Sequence, residues 1–303
     1  MSSPPRLGSE FAGLSVAIVT PFRDGEIDYV RLTEQIEFQI DAGVTCLVPV
    51  GTTGESPTLT HDEHERVIDH TIQTAAGRVK VMAGTGSNST AEALRLTRRA
   101  ADAGADATLQ VAPYYNKPNG EGFYQHFKAI AEAVDIPVCV YNIPGRSAKE
   151  IDLETIQRLS DVPGITMVKE ATGKLDQCSG ILSTTSLTVL SGDDSLTVPM
   201  MSVGAEGVIS VVSNVAPSAM KELVDAAAAG DYATAAKLHA KMFGLASNML
   251  GLDTNPIPVK AAMAMLGRDT GDLRLPMTPL CEEARESLQQ TLLRFGLQSA
   301  VGV

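Results

Sequence analysis

Eight short apolar segments rich in β-branched residues constrain this chain's fold more than any other feature. They are "SVAIVTPF", "CLVPV", "KVMAGTG", "ATLQVAPYY", "PVCVYNIP", "ITMVKEA", "LTVLSG" and "GVISVVSN", beginning near residues 15, 46, 80, 107, 137, 165, 187 and 207. Near-continuous apolar runs suit strands buried on both faces, the condition of a parallel sheet. Helical patterns lie between them. In "DYVRLTEQIEFQIDAG", Leu32, Ile36 and Ile40 share one face and Gly43 is placed to close the helix. In "THDEHERVIDHTIQTAAG", Thr60 and Glu63 predict a capping box, with Ile68, Thr71, Ile72 and Ala75 as the buried stripe. "STAEALRLTRRAADAG" repeats the device with Ser89 and Glu92. Eight strands alternating with helices predict a (β/α)8 barrel. A doubly wound open sheet is the alternative. It would bring a Gly-rich phosphate turn after its first strand, and "AIVTPFRDG" is not one.

From about Pro217 the pattern is helical and alanine-rich, without further strands. This predicts one domain with an appendage: a catalytic barrel over 10–230 and a C-terminal helical extension over 231–303 packed on it.

The formal net charge is −12 and no stretch is strongly basic, which argues against nucleic acid or an anionic membrane as partner. The opening "MSSPPRLGSE" lacks the apolar core of a signal peptide, and no run of about 18 apolar residues occurs, so neither secretion nor a membrane span is expected. Cys46, Cys139, Cys178 and Cys281 lie far apart with no C-x-x-C. Cys46 and Cys139 sit in apolar runs and are expected in the core, and a reducing, cytoplasmic setting fits.

In such a barrel, chemistry sits where strands end and loops begin. Thr20, Thr52, Thr53, Tyr114, Tyr115, Tyr141, Lys169, Asp193 and Ser210 stand at those positions. Lys169 is the odd one, an amine directly after an apolar run. An ordinary reading pairs it with an acid such as Glu170. The functional reading is a nucleophile: desolvation disfavours the ammonium and leaves a free amine for a Schiff base with a ketone or aldehyde. The iminium then acts as an electron sink, and an adjacent carbon can be deprotonated to an enamine. Tyr141, at the tip of the preceding strand, offers a phenol as proton shuttle. "GTTGES" at 51–56 reads as an anion cradle. Arg146 in "NIPGRS" offers a planar fork for a carboxylate. The residues thus point to a lysine-dependent enzyme acting on a small keto acid, with no cofactor expected, and leave the acceptor open.

"VTPF", "GTTGES", "GTGSNST", "PYYNKP", "YNIPGR", "VKEATG", "SGDD" and "GVISV" together resemble the motifs of the dihydrodipicolinate synthase/N-acetylneuraminate lyase family. The resemblance runs from about residue 10 to 295 and includes "NPIPVK" and "LRLPMTP". It implies a homotetrameric (β/α)8 aldolase condensing pyruvate with L-aspartate 4-semialdehyde, on the way to lysine and diaminopimelate. It further implies that Lys169 forms the Schiff base, Tyr141 shuttles protons, and Thr52 links that phenol to Tyr115 supplied by a neighbouring subunit. Thr53 would hold the pyruvate carboxylate beside the Ile209 backbone, and Arg146 would receive the semialdehyde's carboxylate. A lysine feedback site at the dimer interface is implied for Ser56, His61, His64, Asn88, Glu92 and Tyr114, with Pro57 replacing a small residue often seen in enterobacterial-type members. His61-x-x-His64 has no third ligand and no H-E-x-x-H context, so no metal is expected.

Two other functions compete. A sialic acid lyase or a 2-keto-3-deoxy sugar-acid aldolase or dehydratase would keep the Schiff base and change the acceptor, but "GTTGE" carries paired threonines where sialic acid lyases usually show Ser-Thr, and Arg146 suits an acidic aldehyde. A barrel that has lost catalysis would have no reason to keep Lys169, Tyr141, Thr52, Tyr115 and Arg146 together.

Overall fold

The computed structural model describes residues 5–298. Eight parallel strands close into a barrel: β1 (Gly13–Ala17), β2 (Cys46–Val48), β3 (Lys80–Gly84), β4 (Ala107–Val111), β5 (Val138–Asn142), β6 (Ile165–Glu170), β7 (Thr188–Ser191) and β8 (Gly207–Ser210). Each pairs with its sequence neighbours, and β8 closes on β1 through the register Gly13↔Gly207 to Val16↔Ser210. All eight apolar runs form strands. The barrel predicted from their alternation is the architecture found, and the open sheet is not.

Period-two alternation sorts each strand's side chains. Cys139, Tyr141 and Met167 point inward and pack with Leu109, Leu190 and Ile209, while Val138, Val140 and Val168 face the helices. Eight helices surround the barrel: α1 (Tyr29–Asp41), α2 (His61–Ala75), α3 (Thr90–Asp102), α4 (Gly120–Ala131), α5 (Leu153–Ser160), α6 (Leu175–Thr184), α7 (Thr197–Ser202) and α8 (Pro217–Ala228). In α1, Leu32 and Ile36 are fully buried and Gly43 follows the helix with φ +79, the left-handed stop its position predicts.

The first capping box forms as expected. Glu63 N–H donates to Thr60 Oγ1 at 3.2 Å and Thr60 N–H to Glu63 Oε2 at 2.8 Å. The second does not. Ser89 is the N-cap of α3 but makes no capping bond. Glu92 turns instead to His61 and to the Ser87 hydroxyl, a tertiary pairing that outcompetes the local one.

After Gly230, α9 (Tyr232–Gly251), α10 (Ile257–Met265) and α11 (Glu282–Phe295) follow. Their buried Met242, Leu245, Met249, Met263, Leu288 and Leu292 join the same apolar cluster as Leu14, Val16, Leu47 and Val208 of the strands. Residues 299–303 of the expected extension lie outside the described residues. Among the described residues, no helix is long and apolar enough to cross a membrane. Cys46, Cys139 and Cys178 are buried free thiols, and Cys281 is free and exposed.

Candidate active site

The C-terminal ends of the strands surround a cavity of about 380 Å³. Lys169 and Tyr141 reach it from adjacent strands paired residue for residue, Tyr141↔Lys169. Identical register and identical inward phase bring the amine and the phenol together: Lys169 Nζ stands 4.2 Å from the Tyr141 ring centroid. The outward neighbours lock that register. Asn142 Nδ2 donates to Glu170 Oε2 at 3.3 Å and to the Ile151 carbonyl at 3.0 Å.

Lys169 is only 4% exposed, and burial pulls its ammonium down to about 8 against the opposing pull of Asp193 and Asp194. Glu170 is not its ion-pair partner. It points away, with Oε1 accepting from Thr172 N–H at 2.7 Å, and burial pushes its carboxyl up to about 7. Burial also raises the Tyr141 phenol above its ordinary range. Tyr141 therefore stays a neutral proton donor where Lys169 is partly a free base.

The "GTTGES" turn forms another wall. Thr52 and Thr53 line the cavity, and Thr53 Oγ1 accepts from Asn255 Nδ2 at 2.9 Å. Val50 and Glu55 flank the threonines with left-handed backbone, φ 49 and φ 54. Each such non-glycine costs about 1–3 kcal/mol, most severely for a β-branched residue. Gly54 lets the turn close, because a Cβ there would lie 2.9 Å from Val50 N. Thr20 and Ser210, expected on the wall, serve as supports: Thr20 donates to the Gly54 carbonyl at 2.7 Å and Ser210 to Asp194 at 2.5 Å.

Arg146 stands exposed on the cavity rim, its Nη2 donating to the Asn255 carbonyl at 3.0 Å. Ile209 is fully buried in the layer beneath and does not reach the cavity wall. Tyr115 is also absent from the wall. It is 89% exposed, with φ +71, and among the described residues no hydrogen bond joins Thr52 to either Tyr115 or Tyr141.

The remaining candidates gather at one side of the mouth. His61 Nε2 bonds Glu92 Oε1 at 2.7 Å, Asn88 Nδ2 donates to the Tyr114 carbonyl at 3.1 Å, and Tyr114 and Ser56 line the outer cavity. His64 is buried behind them, held down to about 4 by burial, with no hydrogen-bond partner for Nδ1 among the described residues. Among the described residues no group of three His, Cys, Asp or Glu is arranged to hold a metal.

Asn255 is the wall residue that sequence reasoning missed. It contacts Thr53 and Arg146 from between α9 and α10, and its buried Oδ1 has no partner among the described residues. The one available signal was the Asn-Pro pair opening "NPIPVK", a turn marker near the mouth.

An amine that ionises near neutrality, a phenol beside it and a strained threonine turn lining the same small cavity support the chemistry of a lysine-dependent barrel lyase. Known proteins narrow that class. The model of the dihydrodipicolinate synthetase family matches residues 10–294, and the chain belongs to that family. The chain is 52% identical over 289 residues to the 4-hydroxy-tetrahydrodipicolinate synthase of Syntrophus aciditrophicus, covering 95% of this chain and 99% of that one. Among solved structures, the dihydrodipicolinate synthase of Acinetobacter baumannii complexed with pyruvate superposes with TM-score 0.92 at 46% identity, covering 95% and 99% of the two chains. DHDPS of Cyanidioschyzon merolae with lysine bound gives TM-score 0.92 at 38% identity, covering 95% and 99%. A structure described as the first monomeric dihydrodipicolinate synthase variant gives 0.93 at 41%, covering 95% and 98%.

Proposed function

We propose that this chain joins pyruvate to L-aspartate 4-semialdehyde, forming 4-hydroxy-tetrahydrodipicolinate in the synthesis of lysine and diaminopimelate. The observation that carries the reading is the buried, partly neutral amine of Lys169 beside Tyr141. Its Nζ adds to the ketone carbon of pyruvate, the carbinolamine oxygen leaves as water, and an iminium remains. That iminium accepts the electron pair freed when a methyl proton is removed. The resulting enamine carbon attacks the aldehyde carbon, whose oxygen takes up a proton. The amine of the second substrate then attacks the iminium carbon, closing the ring and releasing Lys169.

Tyr141 shuttles the protons, linked through Thr52 to Tyr115 of a neighbouring protomer. Thr53 holds the pyruvate carboxylate, with a contact from the Ile209 backbone beside it, and Arg146 at the rim receives the carboxylate of the semialdehyde. Anchoring both acids orients the enamine carbon against the aldehyde and lowers the entropic part of the barrier. The relatives' names and the pyruvate complex of the Acinetobacter enzyme support this substrate pair.

An exposed, left-handed Tyr115 outside its own cavity supports a site completed by a second copy, in a homotetramer built as a dimer of dimers. The cluster of His61, Glu92, Asn88, Tyr114 and Ser56, with His64 behind, supports lysine as feedback inhibitor, as does the lysine complex of a relative. Buried free thiols support a cytoplasmic setting. The division into a barrel over 10–230 and an extension over 231–303 belongs to the same proposal.

The test is the condensation assay with pyruvate and L-aspartate 4-semialdehyde, followed through a coupled reductase. Turnover that falls by orders of magnitude in Lys169→Ala supports the reading, and absence of turnover in the wild-type protein overturns it. Lysine added to the same assay should inhibit, and less so in Glu92→Gln.

A further inference from the structure

The chemistry above makes no use of the most deeply buried ion pair among the described residues. Lys260 and Glu55 have side chains 0% and 1% exposed, with Lys260 Nζ donating to Glu55 Oε1 at 2.7 Å and to the Thr20 carbonyl at 2.9 Å. The other Glu55 oxygen accepts from Arg274 N–H at 3.2 Å. Arg274 in turn grips Glu63, the capping acid of α2, with both Nη atoms at 2.8 and 2.6 Å. The ion pair thus ties together the exit of β1, the helix α10 and the segment before α11. Buried ion pairs rarely outperform apolar packing of the same volume, so stability alone does not account for it.

The turn that carries Glu55 supplies a reason. Its backbone is left-handed at Val50 and at Glu55, with Thr52 and Thr53 between them. Such strain persists only where the surroundings over-determine the conformation. Lys260 and Arg274 fix the far end of the turn through the Glu55 carboxylate, and Asn255 fixes Thr53 from the same extension.

We propose that Glu55 and Lys260 are positioning residues, through which the C-terminal extension holds the Thr52–Thr53 turn in the shape that receives a keto acid's carboxylate. This rests on the reading that the turn binds the carboxylate of pyruvate. It predicts an effect confined to that substrate, because the acidic aldehyde is received at Arg146, which bonds Asn255 and neither Glu55 nor Lys260.

The experiment uses the full chain. Borohydride reduction of the wild-type protein with pyruvate, read by mass spectrometry, tests the pyruvate reading itself: no adduct overturns that reading and this inference with it. Where the adduct forms, Lys260→Met and Glu55→Gln/Lys260→Met are checked for folding by circular dichroism and titrated with each substrate in turn. The expected result is a KM for pyruvate raised about tenfold or more, with the KM for the aldehyde and the pH midpoint of activity unchanged within about twofold. An unchanged pyruvate KM in a folded variant overturns the inference, and so does an equal rise in both constants, which signals general loosening. Should Lys260→Met not fold, Glu55→Gln alone reads the same two constants while keeping the side chain's shape.

Discussion

At the scale of single residues, the central quantity is the proton affinity of Lys169. Each unit of pKa is a tenfold change in free amine, so holding this group near 8 rather than 10.5 enriches the nucleophile roughly 300-fold at pH 7. The rate of borohydride trapping with pyruvate should therefore rise with pH and level off above about 8. Linkage gives a second expectation. The folded pKa lies below the unfolded one, so between about 8 and 10.5 the unfolded chain binds more protons and stability rises with pH. Below that window the buried ammonium destabilises the fold by at most roughly 3 kcal/mol. Lys169→Met should accordingly abolish turnover and melt higher than the wild-type protein at pH 7, the gap narrowing toward pH 10. A variant that melts lower at pH 7 would contradict the desolvation argument. Lys169 was legible in the sequence because an amine ending an apolar strand violates the ordinary rules of burial. Asn255 was not, because nothing local announces a contact with Thr53 across 202 residues.

At the scale of elements, the two expected capping boxes separate what is local from what is not. Thr60 and Glu63 satisfy each other, so Thr60→Ala should cost about 1 kcal/mol in urea unfolding. Ser89→Ala should cost far less, because its hydroxyl caps nothing. The sequence pattern is the same in both helices. What distinguishes them is that Glu92 is taken by His61 of the neighbouring helix and by the Ser87 hydroxyl. The loop after β4 makes an element-scale prediction too. If Tyr115 serves a neighbouring protomer's site, then mixing Tyr115→Phe with Lys169→Ala protein, each nearly inactive, should rebuild intact sites in mixed dimers. Random pairing restores up to about a quarter of wild-type activity across such a two-fold interface. No recovery after subunit exchange would overturn the supply of Tyr115 from a neighbouring protomer.

For the whole molecule, barrel and extension share one apolar core, with Leu288 and Leu292 of α11 in the same cluster as Leu14 and Val208. Leu288→Ala should lower global stability by about 2–5 kcal/mol in a single urea transition seen by circular dichroism. A separate early transition would mean that the extension unfolds alone. The alternation of apolar runs with helical patterns made the barrel legible, because a strand buried on both faces writes its environment into every residue. The extension's part in the site was not legible. "NPIPVK" and "LRLPMTP" stand out as motifs, but what Lys260 and Arg274 hold is decided by a partner at Glu55 that no periodicity points to.

The separation of 205 positions from Glu55 to Lys260 also sets a schedule. A ribosome adding about 5–20 residues per second needs roughly 10–40 s to travel from one to the other. All eight strands, the last ending at Ser210, leave the ribosome before the cation that pins the threonine turn has been made. The nascent chain can close its cylinder before Lys260 exists, so the buried pair with Glu55 forms only in about the last seventh of translation rather than with the barrel.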